Sequence, residues 1–242
     1  MSKKAKIILA GIIFLLISAV IIFQLTINGI IWPNTPSSKK YPVRGVDVSN
    51  YQGDIQWDIL TQQDVGFAFI KATEGSSFVD MSFEKNWAYA IDSGVLTGAY
   101  HFFSYDSSGA AQAENFINIV PKIKGTLPPV IDVEFYGDKE ANLPPYDQVY
   151  AELSSMLDIL EEYYGVKPII YTTQKAYNLY ISEEFNAYPL WIRNILFKPS
   201  QEWTFWQYSN RGRLDGYNGD ERFIDLNVFK YSYDELVKMC IE

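Results

Sequence analysis

The chain contains the stretch Leu127-Pro128-Pro129-Val130-Ile131-Asp132-Val133-Glu134, a short apolar run that ends in two carboxyl residues. The run has the length and composition of a buried β-strand. Alternate residues of a strand face the same side, so Asp132 and Glu134 are expected side by side, roughly 7 Å apart at the backbone. Two such groups can hold different pKa values, as cleavage of a glycosidic bond by one acid and one anion requires. They can equally well face water, and this stretch alone leaves both interpretations open.

Strand-like and helix-like stretches alternate on both sides of this strand. Strands are predicted at residues 44–49, 66–72, 96–103, 129–135 and 168–172. Helices are predicted at 56–64, 82–92, 108–119, 146–164 and 174–180. Three more strands, at 190–193, 204–208 and 222–226, follow with little helix between them. Repeated β-then-α units predict a parallel sheet, and eight strands with helices only in the first part predict an α/β fold, an irregular TIM-like barrel.

Carboxyl residues also occur on the first and last predicted strands. The chemistry of such barrels lies at the carboxyl ends of the strands, where Asp132 and Glu134 follow the fourth strand. Asp47 lies on the first strand and Asp225 on the last, and a closed barrel places these two strands side by side. A single Asp more commonly caps a loop. Four acids at one barrel end would nevertheless be costly without a function, so the sequence predicts a catalytic site there.

Several motifs resemble those of family-25 glycoside hydrolases, the bacterial and phage lysozymes, in the same order and spacing. The first is Gly45-Val46-Asp47-Val48-Ser49-Asn50-Tyr51-Gln52-Gly53. The others are Phe69-Ile70-Lys71-Ala72-Thr73-Glu74-Gly75, Gly98-Ala99-Tyr100-His101-Phe102, Val130-Ile131-Asp132-Val133-Glu134, Tyr171-Thr172, Leu190-Trp191, Trp206-Gln207-Tyr208 and Ile224-Asp225-Leu226-Asn227. The resemblance covers about residues 44–230.

The resemblance implies five β/α units followed by three strands, and hydrolysis of the β-1,4 bond between N-acetylmuramic acid and N-acetylglucosamine in peptidoglycan. By position, Glu134 would be the general acid. Asp132 would stay charged and orient the substrate's 2-acetamido group, which attacks the anomeric carbon with retention. A carboxylate nucleophile is the other retaining route, and the sequence does not separate the two. Asp47 and Asp225 would position the sugar and adjust the pKa values of Asp132 and Glu134.

Aromatic residues in the motifs are expected to contact the sugar. Tyr100, Tyr171 and Trp191 lie at strand ends, where flat rings can stack on sugar faces. Gln207 is assigned to substrate binding with them, on its place in the resemblance. Tyr51 and Tyr208 also lie in or beside the motifs, without a specific assignment.

His101 is the only histidine. A zinc site with two or three histidines is therefore excluded within one chain, and no G-x-S-x-G motif supports a Ser-His-Asp triad. Two roles are open for His101. It contacts substrate or supports the site residues, or it is a hydrogen-bonded residue of the barrel. Lys71 ends a buried strand and is expected to pair with one of the site acids and to contact substrate. No metal or organic cofactor is expected.

Two positions depart from the family pattern. Asn50 stands where the family usually has histidine, and Leu190-Trp191-Ile192-Arg193 replaces a Trp-hydrophobic-Ala run.

Two alternatives to a muramidase remain open. A chitinase-like N-acetylglucosaminide hydrolase would have an Asp at position 130, which is Val130 here. A non-catalytic peptidoglycan-binding tether would not need the acid Glu134.

The amino-terminal segment predicts attachment to a membrane. Three lysines precede an apolar run at 7–27, which is long enough to span a bilayer as a helix. A cleaved signal peptide is the alternative, which would give a secreted form, but its apolar region is usually shorter. The expected organisation is a signal anchor at 1–31, a linker at 32–42 and an extracytoplasmic catalytic domain at 43–242.

Charge and cysteine content narrow the choice of partners. The residues after 40 include 15 basic and 29 acidic ones, a net charge of −14, which argues against nucleic acid or an anionic membrane as a partner of this part of the chain. Cys240 is the only cysteine, so no disulfide forms within the chain. The expected partners are peptidoglycan glycan strands and, through the amino-terminal helix, a membrane.

Overall fold

Strands and helices alternate along the chain as the sequence predicts. This computed structural model describes residues 2–32 and 34–242. In chain order the elements are α1 (Lys3–Ile27), β1 (Arg44–Val48), α2 (Trp57–Thr61), β2 (Phe67–Glu74), β3 (Phe78–Val79), α3 (Phe83–Asp92), β4 (Leu96–Phe102), α4 (Gly109–Ile119), β5 (Val130–Val133), α5 (Tyr146–Tyr164), β6 (Ile169–Thr173), α6 (Gln174–Ala176), β7 (Leu190–Arg193), β8 (Phe205–Gly212), β9 (Ile224–Phe229) and α7 (Tyr233–Val237). A 3₁₀ turn at Asn50–Gln52 follows β1, and a π-helical turn at Tyr177–Ile181 follows α6.

Eight strands close into a barrel. Strands β1, β2, β4, β5, β6, β7 and β8 are parallel neighbours in that order, and β9 pairs antiparallel with both β8 and β1. Helices connect the parallel strands up to β6, whereas β9 returns from β8 without a helix, as an antiparallel neighbour can. The prediction of five β/α units followed by three strands in an irregular barrel is confirmed.

Aromatic rings fill the barrel interior. Phe69 of β2 stacks on Trp191 of β7 with ring centroids 4.7 Å apart and meets Phe205 of β8 edge-on at 5.3 Å. Gly98 of β4 makes room for Phe69, because a Cβ at this position would lie 2.6 Å from its ring. The interior is therefore solid, and only the ends of the barrel are free to form a site.

Two short elements and one strand extension were not predicted. β3 pairs with the end of β2 outside the barrel. α7 follows β9, whose end lies beside the start of β1, so α7 lies at the end of the barrel where the parallel strands begin. Leu236 of α7 joins the interior cluster there. β8 continues to Gly212 through two irregularities in its pairing with β9, which the apolar pattern up to residue 208 does not indicate.

The amino-terminal helix α1 stands apart from the barrel core. None of its 25 residues is buried, and its mean hydropathy reaches 2.9, so it is long and apolar enough to cross a membrane. A signal sequence near the amino terminus can meet the same criteria of length and hydropathy. The segment after it contacts the domain: Pro36 and Tyr41 are buried, and Trp32 Nε1 donates to the carbonyl of Tyr208 at 2.7 Å. The predicted boundaries at 31 and 42 stay predictions.

Candidate active site

The carboxyl ends of the parallel strands enclose a cleft of about 690 Å³. Inward-facing positions alternate along each strand, so the residue two places after an interior one reaches the barrel mouth. Asp47 on β1, Tyr100 on β4 and Asp132 on β5 line the cleft for this reason. The position of the site thus follows from strand periodicity together with the solid interior below it.

The cleft brings together all four predicted carboxyl residues, Asp47, Asp132, Glu134 and Asp225. Asp132 lies within β5 and Glu134 directly follows that strand. Asp47 and Asp225 are direct partners in the antiparallel pair of β1 and β9. Asp132 is buried and the other three are half-buried, so this is a dense group of acids in a largely desolvated pocket.

Two side-chain amides hold the Asp47 carboxylate. Gln207 Nε2 donates to its two oxygens at 3.0 and 3.2 Å, and Asn227 Nδ2 donates to Oδ1 at 2.7 Å. Gln207 Nε2 also lies 3.1 Å from Asp225 Oδ2. Gln207 is buried behind the carboxylates and does not line the cleft. It is therefore placed to position the acids, and the expected contact with substrate does not fit its location.

The same hydrogen-bond network reaches the aromatic wall of the cleft. Gln207 Oε1 accepts from the Tyr171 hydroxyl at 2.9 Å, and Asn227 Oδ1 accepts from Trp191 Nε1 at 2.8 Å. Tyr171 and Trp191 line the cleft together with Tyr100, but Tyr171 is 6% and Trp191 2% exposed, so their stacking on a sugar stays a prediction. Two of these three rings are thus fixed through the amides that hold the acids.

Asp132 and Glu134 both favour their protonated forms. Burial raises the pKa of Asp132 well above its usual range, and the charge of Glu134 raises it further. Burial also raises the pKa of Glu134, while the positive charge of Arg193 lowers it. The sequence led us to expect a charged Asp132 beside a protonated Glu134. In the free cleft burial raises the pKa of both groups, and the expected division into a charged Asp132 and a protonated Glu134 stays a prediction.

Asp132 has an unused hydrogen-bond acceptor in the cleft. Its Oδ1 is buried and accepts no hydrogen bond from residues 2–32 or 34–242. A buried acceptor without a partner costs about 1–3 kcal/mol. A donor on a bound molecule would relieve this cost and, by bonding to the charged form, would lower the pKa of Asp132.

Asp47 and Asp225 form a second pair of neighbouring acids, and the pKa of each is raised. Burial raises the pKa of Asp225 well above its usual range, and the charge of Asp47 raises it further. Burial also raises the pKa of Asp47, but the hydrogen bonds from Asn227 and Gln207 and the charge of Arg193 oppose that shift. The donors surround Asp47, so a negative charge is better stabilised on Asp47 than on Asp225.

Three cations, Lys71, Arg193 and Arg211, line the cleft. Lys71 Nζ forms an ion pair with Glu74 at 2.7 Å, so the expected pairing with a site acid is wrong; Glu74 lies nearer along β2. Lys71 still faces the cleft, and its charge lowers the pKa of both Asp132 and Glu134. Arg193 ends β7 and forms no ion pair within 4.0 Å in the described part of the chain.

His101 does not reach the cleft. It is fully buried, with Nδ1 2.7 Å from the Thr73 hydroxyl and Nε2 3.0 Å from Gln112 Oε1. The amide nitrogen of Gln112 donates to the carbonyls of Ser104 and Ser107, which fixes Oε1 as the acceptor and places the His101 proton on Nε2. Burial lowers the pKa of His101 to about 4. The expected contact with substrate is therefore wrong, and His101 is a neutral, hydrogen-bonded barrel residue.

The remaining motif residues divide between cleft and scaffold. Tyr51 lines the cleft, whereas Tyr208 is buried below it with its hydroxyl 3.1 Å from Arg44. Asn50 does not line the cleft; its backbone N–H donates to Asp80 at 3.0 Å. Of the two departures from the family pattern, only the one at Arg193 changes the cleft wall.

Sequence reasoning missed two residues of the site. Arg193 was noted only as a departure, yet it ends a strand of the mouth, the position that carries the other site residues. Asn227 was part of a quoted motif, and its place two residues after Asp225 on the same strand face was the available signal. Among the described residues, no three His, Cys, Asp or Glu side chains are arranged to hold a metal ion.

Comparison with known proteins identifies the family. The model of glycosyl hydrolases family 25 matches residues 46–217. A solved structure of a family 25 glycosyl hydrolase from Bacillus anthracis is 53% identical, with a TM-score of 0.80, over 85% of this chain and 96% of that chain. Lysozyme M1 of Streptomyces globisporus is 32% identical over 82% of this chain and 71% of its own length. The uncharacterized protein YegX of Escherichia coli strain K12 is 38% identical over 81% of this chain and 72% of its own length.

The match spans most of the barrel, including Asp47, Asp132 and Glu134. The chain therefore belongs to glycosyl hydrolases family 25 and is a glycoside hydrolase.

Proposed function

We propose that this protein is an N-acetylmuramidase that hydrolyses the β-1,4 bond between N-acetylmuramic acid and N-acetylglucosamine in peptidoglycan. The observation that carries the proposal is the four carboxyl groups in one aromatic-walled cleft. The relatives named as lysozymes support the substrate class. The same cleft in a pure tether would bear the cost of several buried acids without using them.

Glu134 is the general acid of the proposed reaction. It directly follows β5 at the cleft, and burial raises its pKa, which favours the protonated carboxyl that a general acid needs. It gives that proton to the oxygen of the departing sugar as the glycosidic bond breaks. In the second half of the reaction the resulting carboxylate takes a proton from the attacking water, which restores the starting state.

Asp132 orients the 2-acetamido group of the substrate. Its buried Oδ1 lacks a donor in the free cleft, and an acetamido N–H would supply one. That hydrogen bond stabilises the charged form of Asp132, so binding shifts the proton of the pair towards Glu134. The acetamido oxygen then attacks the anomeric carbon as the bond to the departing sugar breaks. Water later displaces that oxygen from the same carbon, so the two inversions retain the configuration overall. This explains why Asp132 can favour its protonated form before substrate arrives and still act as an anion afterwards.

Asp47 and Asp225 complete the electrostatics around the sugar. Asp47 carries a fixed negative charge, held by Gln207 and Asn227, that favours a developing positive charge at the anomeric carbon. Tyr171 and Trp191 form part of the cleft wall and are fixed by the amides of Gln207 and Asn227. No step in this scheme requires a metal or an organic cofactor.

The helix α1 anchors the enzyme in the membrane with the barrel outside the cytoplasm. Lys3, Lys4 and Lys6 precede its apolar run and favour a cytoplasmic amino terminus. Removal of residues 1–31 should release the domain from membranes into solution. Membrane retention of the truncated protein after carbonate washing would contradict the anchor.

The activity is tested with the full-length protein in detergent micelles. Wild type and Glu134→Gln are incubated with purified peptidoglycan, and the new reducing ends are identified by mass spectrometry. The proposal is supported if the wild type, and not Glu134→Gln, produces new reducing ends of muramic acid. Reducing-end glucosamine indicates a glucosaminidase, and binding to the insoluble wall without release by either protein indicates a tether.

A further inference from the structure

The carboxyl end of α1 is joined to the barrel by hydrogen bonds. The carbonyl of Ile27, in the last turn of the helix, accepts from Arg211 Nη1 at 2.6 Å. The side-chain oxygen of Asn28 accepts from Arg222 Nη1 at 3.3 Å. The next contact is the hydrogen bond from Trp32 to the Tyr208 carbonyl. The helix end is thus held by residues of β8 and of the β8–β9 loop.

At Gly29 the chain after α1 approaches the barrel too closely for a residue with a side chain. Its φ is +66°, and a Cβ there would lie 2.3 Å from the carbonyl oxygen of Arg211 and 3.1 Å from the ring of Phe223. Glycine is the residue that combines this backbone conformation with such an approach. The connection between helix and barrel is therefore a fitted contact, unlike a flexible tether.

The joint adjoins the active-site cleft. Arg211 and Phe223, which contact the helix end, also line the cleft that contains Asp132 and Glu134. The end of α1 thus lies against side chains that also form the wall of the cleft. If α1 spans the membrane, this rim of the cleft lies at the membrane surface.

The surface beside the joint has the composition of a membrane interface. Ile30 is 60% exposed and Ile31 is 40% exposed, which extends the apolar surface beyond the last turn of α1. Trp32 follows them, and tryptophan is enriched at the level of lipid headgroups.

Three arginines surround one ring next to this apolar surface. The guanidinium groups of Arg211, Arg213 and Arg222 lie 5.4, 5.9 and 5.4 Å from the centre of the Phe223 ring. Basic groups at this level fit the phosphates of anionic lipids. Their clustering here contrasts with a domain that is acidic as a whole.

We propose that the joint holds the cleft against the outer face of the membrane, so that the enzyme cleaves glycan strands close to the bilayer, including strands still attached to a membrane lipid at their reducing end. This inference rests on the proposed anchor and muramidase activity. The fitted joint sets the height of the cleft, and that height sets the length of glycan left on the lipid.

The experiment measures that remnant. Full-length protein is reconstituted into phosphatidylglycerol and phosphatidylethanolamine vesicles that carry glycan strands attached to lipid by their reducing ends, and the lipid-bound products are sized by mass spectrometry. One variant has ten Gly/Ser residues inserted between Ile27 and Asn28, which add about 17 Å of reach. Gly29→Ala disrupts the joint without an insertion. Gly94→Ala is the matched control, because Gly94 also has a positive φ but no atom within 4 Å of a Cβ.

We expect a short remnant of narrow length distribution from the wild type and from Gly94→Ala. The insertion should lengthen the remnant by the reach it adds, and Gly29→Ala should broaden its distribution. Equal remnants from all four proteins would overturn the inference. So would a wild type that digests purified peptidoglycan but leaves the lipid-attached strands intact. A wild type that cleaves neither substrate would instead contradict the proposed function.

Discussion

The buried, neutral His101 predicts a specific dependence of stability on pH. The pKa of His101 is about 4 in the folded protein and near 6.5 in an unfolded chain. Because the folded pKa is lowered, the unfolded state binds the proton more readily. The contribution of His101 to stability is complete above pH 6.5 and is lost as the pH falls towards 4. Linkage gives a loss of about 2 kcal/mol at pH 5 and about 3 kcal/mol at pH 4.

His101→Gln removes the titrating group and keeps a polar side chain for the Thr73 and Gln112 partners. The assay is urea unfolding of a 32–242 fragment at pH 7, 5 and 4, followed by tryptophan fluorescence. The free energy of unfolding of the variant should fall less between pH 7 and pH 4 than that of the wild type, by about 3 kcal/mol. The cleft carboxyl groups, whose pKa values are raised, titrate identically in both proteins. Their contributions to the pH dependence of stability therefore cancel in the comparison.

Thr73→Val provides the control. It removes the hydroxyl next to His101 Nδ1 but leaves the imidazole buried, so the pH dependence of the wild type should persist. Parallel pH profiles for the wild type and His101→Gln would refute the reasoning, since they would mean that His101 binds its proton equally well in both states.

Three further substitutions test the electrostatics of the cleft. Arg193→Gln removes a charge that lowers the pKa of Glu134, so the alkaline limb of the pH profile of kcat/KM should move to higher pH; an unmoved limb would contradict this role. Asp225→Asn removes a carboxyl group whose raised pKa lowers the stability of the folded protein as the pH rises. At pH 8 the variant should therefore need more urea than the wild type to unfold, while its activity is lower. Trp191→Phe leaves Asn227 Oδ1 without its donor and should cost about 1–3 kcal/mol of stability in thermal unfolding, with a raised KM.

Strand periodicity made the barrel and most of its mouth predictable. Asp47, Asp132 and Asp225 could be placed together because a closed barrel aligns the carboxyl ends of its strands and joins the first strand to the last. The same argument applied to Arg193, but the sequence marked this residue only as a departure from the family pattern.

Side-chain partners could not be obtained from the same pattern. Lys71 pairs with Glu74 because an irregularity in the β2–β4 pairing lies between them, which no periodic pattern shows. His101 faces away from the mouth because Tyr100, its neighbour on β4, faces into it. The protonation preference of Asp132 depends on its burial and on an acceptor without a donor, and both are properties of the folded cleft.

The central claim is that Glu134 protonates the departing sugar, and the most direct test varies the need for that proton. The measurement is kcat/KM of wild type and Glu134→Gln on a glycan substrate and on an aryl glycoside with a dinitrophenolate leaving group. On the glycan we predict a loss of about 10²–10⁴-fold. On the aryl glycoside, whose leaving group departs without a proton, the loss should be much smaller. An equal loss on both substrates would show that Glu134 is not the acid of the first step.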